Sequence, residues 1–136
     1  MSALTFAGET LGSRLFLGTG GLPRPALLGP VLEAARPSLV TVSVRRTSSL
    51  ASGGLLGTLR EHGARLLPNT AGCRSAREAV TTAELAREAL GTDWVKLEVI
   101  GDETSLMPDV VEMLEAAEQL VARGFTVLPY STEDAV

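Results

Sequence analysis

Trp94-Val95-Lys96-Leu97-Glu98-Val99-Ile100 alternates in the manner of a strand. Trp94, Lys96, Glu98 and Ile100 fall on one face, and Val95, Leu97 and Val99 fall on the other. The wholly aliphatic face suits packing against helices. The other face carries two ionisable groups, which packing alone does not explain, so it should point to a barrel interior or a cleft. Lys96 is also the only lysine among 12 Lys and Arg residues. Lysine, unlike arginine, can lose its proton when buried and act as a nucleophilic amine. A Schiff-base lysine is therefore the first hypothesis. Two plainer readings stand beside it: an arginine-rich coding bias that leaves one lysine by chance, or a lysine that snorkels from a strand end to water.

Outward from this stretch, apolar runs recur at Arg14 to Gly18, Ser38 to Val44, Ala64 to Pro68, Trp94 to Ile100 and Phe125 to Pro129. They begin roughly 24 to 31 residues apart, which suits a βα unit. Helical patterns lie between them, over Ala26 to Ala35, Gly54 to Glu61 and Ser75 to Leu90. Ser75 with Glu78 forms a capping box, and Gly91 ends that helix. Asp109 with Glu112 opens the next helix, and Gly124 closes it. Leu4-Thr5-Phe6 and the turn at Gly8 predict a small leading hairpin. Strict alternation predicts α/β architecture with a parallel sheet. Either a doubly wound sheet or a (β/α)8 barrel would begin this way.

The bulk numbers narrow the class. The chain has 136 residues, 45% hydrophobic and 21% charged, which is enough for one modest domain or a piece of a larger one. A net charge of -4 argues against a general nucleic-acid or membrane-surface role. One cysteine, Cys73, and one histidine, His62, exclude a disulfide framework, a cysteine-rich or His-cluster metal site, and a Ser-His-Asp triad within this chain. No apolar run approaches the roughly 18 residues of a membrane span. The N-terminus lacks the basic-then-apolar order of a signal peptide, so a soluble cytoplasmic protein is expected.

Several segments together resemble the bacterial thiazole synthase family of thiamin biosynthesis. They are Leu15 to Gly20, Leu39 to Val42 running to Arg45-Arg46, Leu66 to Gly72, Leu85 to Glu88, Asp93 to Val99, and Gly124 to Tyr130. They stand in family order and spacing along the whole chain. Any one alone would be weak. The resemblance implies the N-terminal part, about five βα units, of a (β/α)8 TIM-type barrel. It implies a single partial barrel domain over residues 1–136. It also implies an activity that joins 1-deoxy-D-xylulose 5-phosphate, dehydroglycine and sulfur from a small carrier protein with a C-terminal thiocarboxylate. The family's Schiff-base lysine maps onto Lys96, and its strand-mate general acid/base maps onto Glu98. Asn69 and Arg46 are the expected substrate-binding residues. No cofactor is expected. The expected partners are the carrier, an enzyme that supplies dehydroglycine, and further copies of the chain in a homo-oligomer. Gly21 and Ala135 depart from the residues common at their positions. The chain stops at Val136, just after the fifth predicted strand, where the family continues for about as long again. The expectation is thus an N-terminal half, with the phosphate-gripping loops after strands 7 and 8 beyond its end.

Other residues carry weaker signals. Gly18-Thr19-Gly20-Gly21 reads as a tight turn more readily than as a phosphate cradle. Arg45-Arg46 ends the second predicted strand, either as a phosphate or carrier contact or as a solvated pair. Asn69-Thr70-Ala71-Gly72 ends the third, with a substrate or loop-shaping role or plain turn chemistry. Cys73 reads as a small helix-start residue and His62 as a surface residue. Glu112, Glu115 and Glu118 read as a solvated helix face.

The proposed chemistry makes demands. A useful amine nucleophile sits at a pKa of about 7 to 8 rather than near 10.4, so the site must disfavour the ammonium by about 4 kcal/mol. Trp94 and Ile100 could desolvate it. An ionised Glu98 would oppose that, so Glu98 is either protonated or turned elsewhere. Two other readings remain: a different Schiff-base lyase or aldolase on the same barrel, and an inactive half-barrel.

Overall fold

The chain divides into two compact units, Met1–Leu67 and Pro68–Val136, and the computed structural model describes residues 3–47 and 54–133. In the first unit the leading hairpin forms as expected. β1 (Leu4–Phe6) pairs antiparallel with β2 (Glu9–Leu11). The two linking residues, Ala7 and Gly8, have φ of 49° and 78°, the pair of positive angles that a tight hairpin turn requires. β3 (Phe16–Gly18) pairs in parallel with β4 (Leu39–Ser43), Phe16 opposite Leu39. Between them, a 3-10 turn (Pro25–Leu27) leads into α1 (Leu28–Ala35). The helix predicted from Ala26 therefore starts tighter than expected. Pro25 opens the turn, and Pro30 falls in the first turn of α1, where no intrahelical N–H is needed.

β4 stops at Ser43, one residue short of the predicted strand end. Val44 instead begins a four-residue helix, α2 (Val44–Thr47), so Arg45-Arg46 lies in a helix and not at a strand end. α3 (Leu55–Glu61) is followed by Gly63 at φ 61°. Leu11, Leu28, Leu32, Leu39, Val40, Val42 and Leu59 are the buried residues of these elements.

β5 (Leu66–Asn69) continues from the first unit into the second. The strands form a five-stranded parallel sheet in the order β3-β4-β5-β6-β7, so the architecture is mixed α/β. β6 (Trp94–Leu97) and β7 (Thr126–Pro129) run in register from Trp94 opposite Thr126 to Leu97 opposite Pro129. α4 (Ala76–Leu90) and α5 (Val110–Ala122) complete the second unit.

The helix signals held. The Ser75 hydroxyl accepts from Glu78 N–H, and Gly91 closes α4 at φ 67°. The Glu78 carboxylate accepts from Arg74 N–H at 2.8 Å, one residue earlier than a reciprocal capping box would have it. Asp109 caps α5 by accepting from Glu112 N–H at 3.0 Å, and Gly124 follows at φ 83°. The aliphatic face of the 94–100 stretch packs as predicted. Val95, Leu97 and Val99 are fully buried in one cluster with Ala79 and Ala83 of α4 and Met113, Ala116 and Leu120 of α5. Small alanines on the buried face let the helix backbones lie close to the strand.

The expectation for Glu112 is overturned. It is not merely part of a solvated face, because its carboxylate accepts from Ala76 N–H at 2.6 Å, at the first residue of α4. A carboxylate there meets an otherwise orphaned donor and the positive end of the helix dipole. We predict that Glu112→Ala lowers unfolding stability by about 1–2 kcal/mol. Glu115→Ala, which removes only a 3.4 Å exposed contact with Gln119, should change it by under about 0.5 kcal/mol. Urea denaturation of both variants measures the contrast, and equal effects would refute the bridging role.

Candidate functional site

Lys96 and Glu98 lie two residues apart on one face, and the lysine side chain is long enough to reach back along it. Its Nζ stands 3.0 Å from Glu98 Oε1. The pair is unequally covered: the Glu98 side chain is 14% exposed and that of Lys96 is 39%. Glu98 is therefore not turned elsewhere, and Lys96 keeps substantial contact with water. Trp94 and Ile100, on the same face, are both buried. The Lys96 Nζ also lies 5.8 Å from the centroid of the Tyr130 ring, within cation–π range.

The strand does not end where alternation alone would end it. The ladder with β7 stops at Leu97, yet Val99 still packs in the aliphatic cluster with Val95 and Leu97. Val99 C=O accepts from Asp109 N–H at 2.8 Å, and Ile100 N–H donates to Cys73 C=O at 2.9 Å. Ile100 also bridges antiparallel to Pro108, which closes the loop between them. Inside that loop Leu106 takes φ 58°, a left-handed angle that costs a branched side chain about 1–2 kcal/mol. The Tyr130 hydroxyl donates to Leu106 C=O at 3.3 Å and so ties the loop to the residue that follows β7.

Glu98, Ile100, Arg74, Glu103, Leu106 and Tyr130 line a cavity of about 360 Å³, together with Ala71 and Gly72. Arg74 and Glu103 form an ion pair at 3.0 Å on its exposed side. The arrangement offers a primary amine, a carboxylate in contact with it, and an adjoining hollow. A larger hollow of about 580 Å³ belongs to the first unit, lined by Leu32, Glu33, Arg36, Pro37 and His62 among others. Neither hollow is lined by an amine or a thiol, but the smaller is lined by Glu98, which contacts Lys96, so it is the better candidate.

Asn69 is placed directly across the ladder from Lys96. Its Oδ1 accepts from Ala71 N–H at 3.3 Å, as turn chemistry predicted. Arg46 belongs to α2, and its side chain lies outside the described residues. Cys73 is fully buried against Thr82, in keeping with a small packing residue. The His62 ring pairs with Thr58 C=O and stands 3.6 Å from Glu33, on a helix surface. Thr19 donates to Thr41 C=O, and Leu22 N–H reaches back to Thr19 C=O, so the glycine-rich segment is a tight turn. Sequence reasoning missed Tyr130 as part of the site and named Thr70 only within the Asn69 to Gly72 segment, without its bond to Glu98. Thr70, a polar residue only 1% exposed, binds both backbone groups of Glu98. Among the described residues no group of three or more His, Cys, Asp or Glu could hold a metal ion, and no helix is long and apolar enough to cross a membrane.

Comparison with known proteins points to one family. The family described as "Thiazole biosynthesis protein ThiG" matches residues 5–136. A thiazole synthase of Neisseria gonorrhoeae is 54% identical, over 98% of this chain and 52% of its own. One of Burkholderia lata is 53% identical, over 98% of this chain and 50% of its own. The chain thus spans about half the length of the curated relatives it matches. Among solved structures, the Amycolatopsis orientalis BexX/CysO complex contains a chain that superposes with a TM-score of 0.70 at 26% identity, covering 96% of this chain and 54% of that one.

The loop beside the cavity gives a pH prediction. The Asp102 carboxylate accepts from the Ser105 hydroxyl at 2.5 Å and from the N–H groups of Thr104 and Ser105. The Ser105 hydroxyl first, then the Thr104 and Ser105 backbone donors, hold its pKa below the ordinary 3.8. A lowered folded pKa means that this stabilisation is present above 3.8 and is lost as pH falls through the folded value. The Ser105 amide signal should therefore titrate below pH 3.8, and Asp102→Asn should abolish that titration. A midpoint at or above the ordinary value would refute the assignment.

Proposed function

The chain belongs to the thiazole biosynthesis protein ThiG family, and from that premise we propose that it supplies the imine-forming part of a thiazole synthase. The observation that carries the proposal is the contact between the sole lysine and Glu98 beside a cavity. In this reading Lys96 and Glu98 are the catalytic residues. In place of the neutral or averted Glu98 expected from the sequence, this reading uses the Glu98 carboxylate, in contact with Lys96, to take a proton from its ammonium. The neutral amine adds to the ketone carbon of 1-deoxy-D-xylulose 5-phosphate. The carbonyl oxygen leaves as water after two proton transfers, and a C=N bond forms. The cationic imine withdraws electrons from the adjacent carbon, and Glu98 moves protons there to ready that carbon for sulfur.

Asn69, opposite Lys96 on the neighbouring strand, is suited to contact the bound sugar, and Arg46 is proposed as a phosphate contact. Sulfur would arrive on a small carrier with a C-terminal thiocarboxylate, and dehydroglycine from the enzyme that supplies it. The complex between the BexX chain and CysO supports a protein partner for this fold. The parallel α/β sheet is what a partial (β/α)8 barrel requires, which supports that architecture. A cytoplasmic setting and a homo-oligomer belong to the same proposal.

The test is covalent trapping. Incubation with 1-deoxy-D-xylulose 5-phosphate and borohydride, followed by peptide mass spectrometry, should place one adduct on Lys96. Lys96→Arg should abolish it, because a guanidinium keeps the charge but does not form the imine. An equal yield on the variant would end the assignment. Glu98→Gln should slow trapping by about 10²-fold through loss of the proton acceptor. Trapping at the unmodified rate would show that Glu98 plays no part in imine formation.

A further inference from the structure

We propose that Thr70 is a positioning residue that holds Glu98 against Lys96. This deepens the reading above and rests on Lys96 and Glu98 as the reacting pair. The argument begins with the ladder between β5 and β6, where Asn69 is opposite Lys96. Thr70 N–H donates to Lys96 C=O at 3.2 Å, which is the regular next step of a parallel ladder. The step after it should send Glu98 N–H to Thr70 C=O. It does not. That carbonyl accepts instead from Cys73 N–H at 3.1 Å, because the chain is turning into α4.

The Thr70 side chain takes the carbonyl's place. Its Oγ1 accepts from Glu98 N–H at 2.8 Å and donates to Glu98 C=O at 2.7 Å. One hydroxyl thereby satisfies both backbone groups of the residue whose carboxylate touches the amine. Thr70 is 1% exposed, so water has little access to replace it. Without the hydroxyl, no bond from β5 would hold the N–H and C=O of Glu98, and only the neighbouring carbonyls of Leu97 and Val99 would stay tied, to Tyr130 N–H and Asp109 N–H. Its carboxylate, two residues from Lys96, would lose the platform that sets the 3.0 Å contact.

Thr70→Val keeps the shape and removes the donor and acceptor. Thr70→Ser keeps both and removes a methyl. The full chain and these variants are compared by far-UV circular dichroism, by hydrogen exchange of the peptide spanning residues 94–100, and by the rate of borohydride trapping with 1-deoxy-D-xylulose 5-phosphate. In Thr70→Val one further amide of that peptide should exchange rapidly, and trapping should slow by about 10- to 100-fold with the dichroism unchanged. Thr70→Ser should return both to within about 2-fold of the unmodified chain, since it restores the bonding pattern. If Thr70→Val loses helical signal, Thr70→Ala carries the same comparison without a branched side chain. Unchanged protection in Thr70→Val would overturn the hydroxyl grip. Lost protection with undiminished trapping would overturn the positioning role. Absence of any adduct on the unmodified chain would remove the Lys96 reading and the positioning role with it, and the exchange data would separate that failure from a failed grip.

Discussion

A strand can serve two environments only if its residues alternate, and β6 with its extension serves two that conflict. One face must be dry enough to pack against α4 and α5, so Val95, Leu97 and Val99 are fully buried. The other must keep an amine and a carboxylate in reach of solvent and of each other. A register slip of one residue would drive Lys96 and Glu98 into the helices and expose three aliphatic side chains. The register is fixed by four consecutive pairings with β7 and by the aliphatic cluster behind the strand. Core packing therefore sets the face on which the ion pair stands, and the site inherits the rigidity of the core.

The C-terminal ends of parallel strands are where such sites sit, because there the chain leaves the ladder and exposes polar groups. The structure shows how that departure is managed. β5 turns off at Thr70, β6 loses its β7 partner after Leu97, and the freed backbone groups find bonds with Asp109, Cys73 and Thr70. Leu106 holds an unfavourable angle in the loop that closes over this region, and Tyr130 tethers it. Strain of that kind survives only where the surroundings over-determine the backbone.

What the sequence could reveal follows from the range of each interaction. Caps at Ser75 with Glu78 and at Asp109 with Glu112 are three residues apart, so they can be read locally. The facing of residues 94–100 depends only on a period of two. Interactions between distant residues were invisible. The bond from Ala76 N–H to Glu112 spans 36 positions, which is why Glu112 read as one of three solvated glutamates. The bonds between Thr70 and Glu98 span 28 positions. The signal that could have found Thr70 is its place directly after an apolar strand, where a buried hydroxyl needs a partner. Val44 is β-branched and prolonged the predicted strand, yet it begins a short helix.

The lopsided choice of cations has a chemical consequence. Guanidinium groups stay protonated at neutral pH and do not condense readily with aldehydes or ketones. The eleven arginines, from 12 basic residues less one lysine, can carry surface charge without competing for simple aldehydes, ketones and reducing sugars. Lys96 is then the sole side-chain amine at which a stray aldehyde or reducing sugar can condense. Its 39% exposure makes it reachable by such metabolites. Glycation of this chain would therefore be concentrated at a single side chain, and damage and function would meet at the same nitrogen.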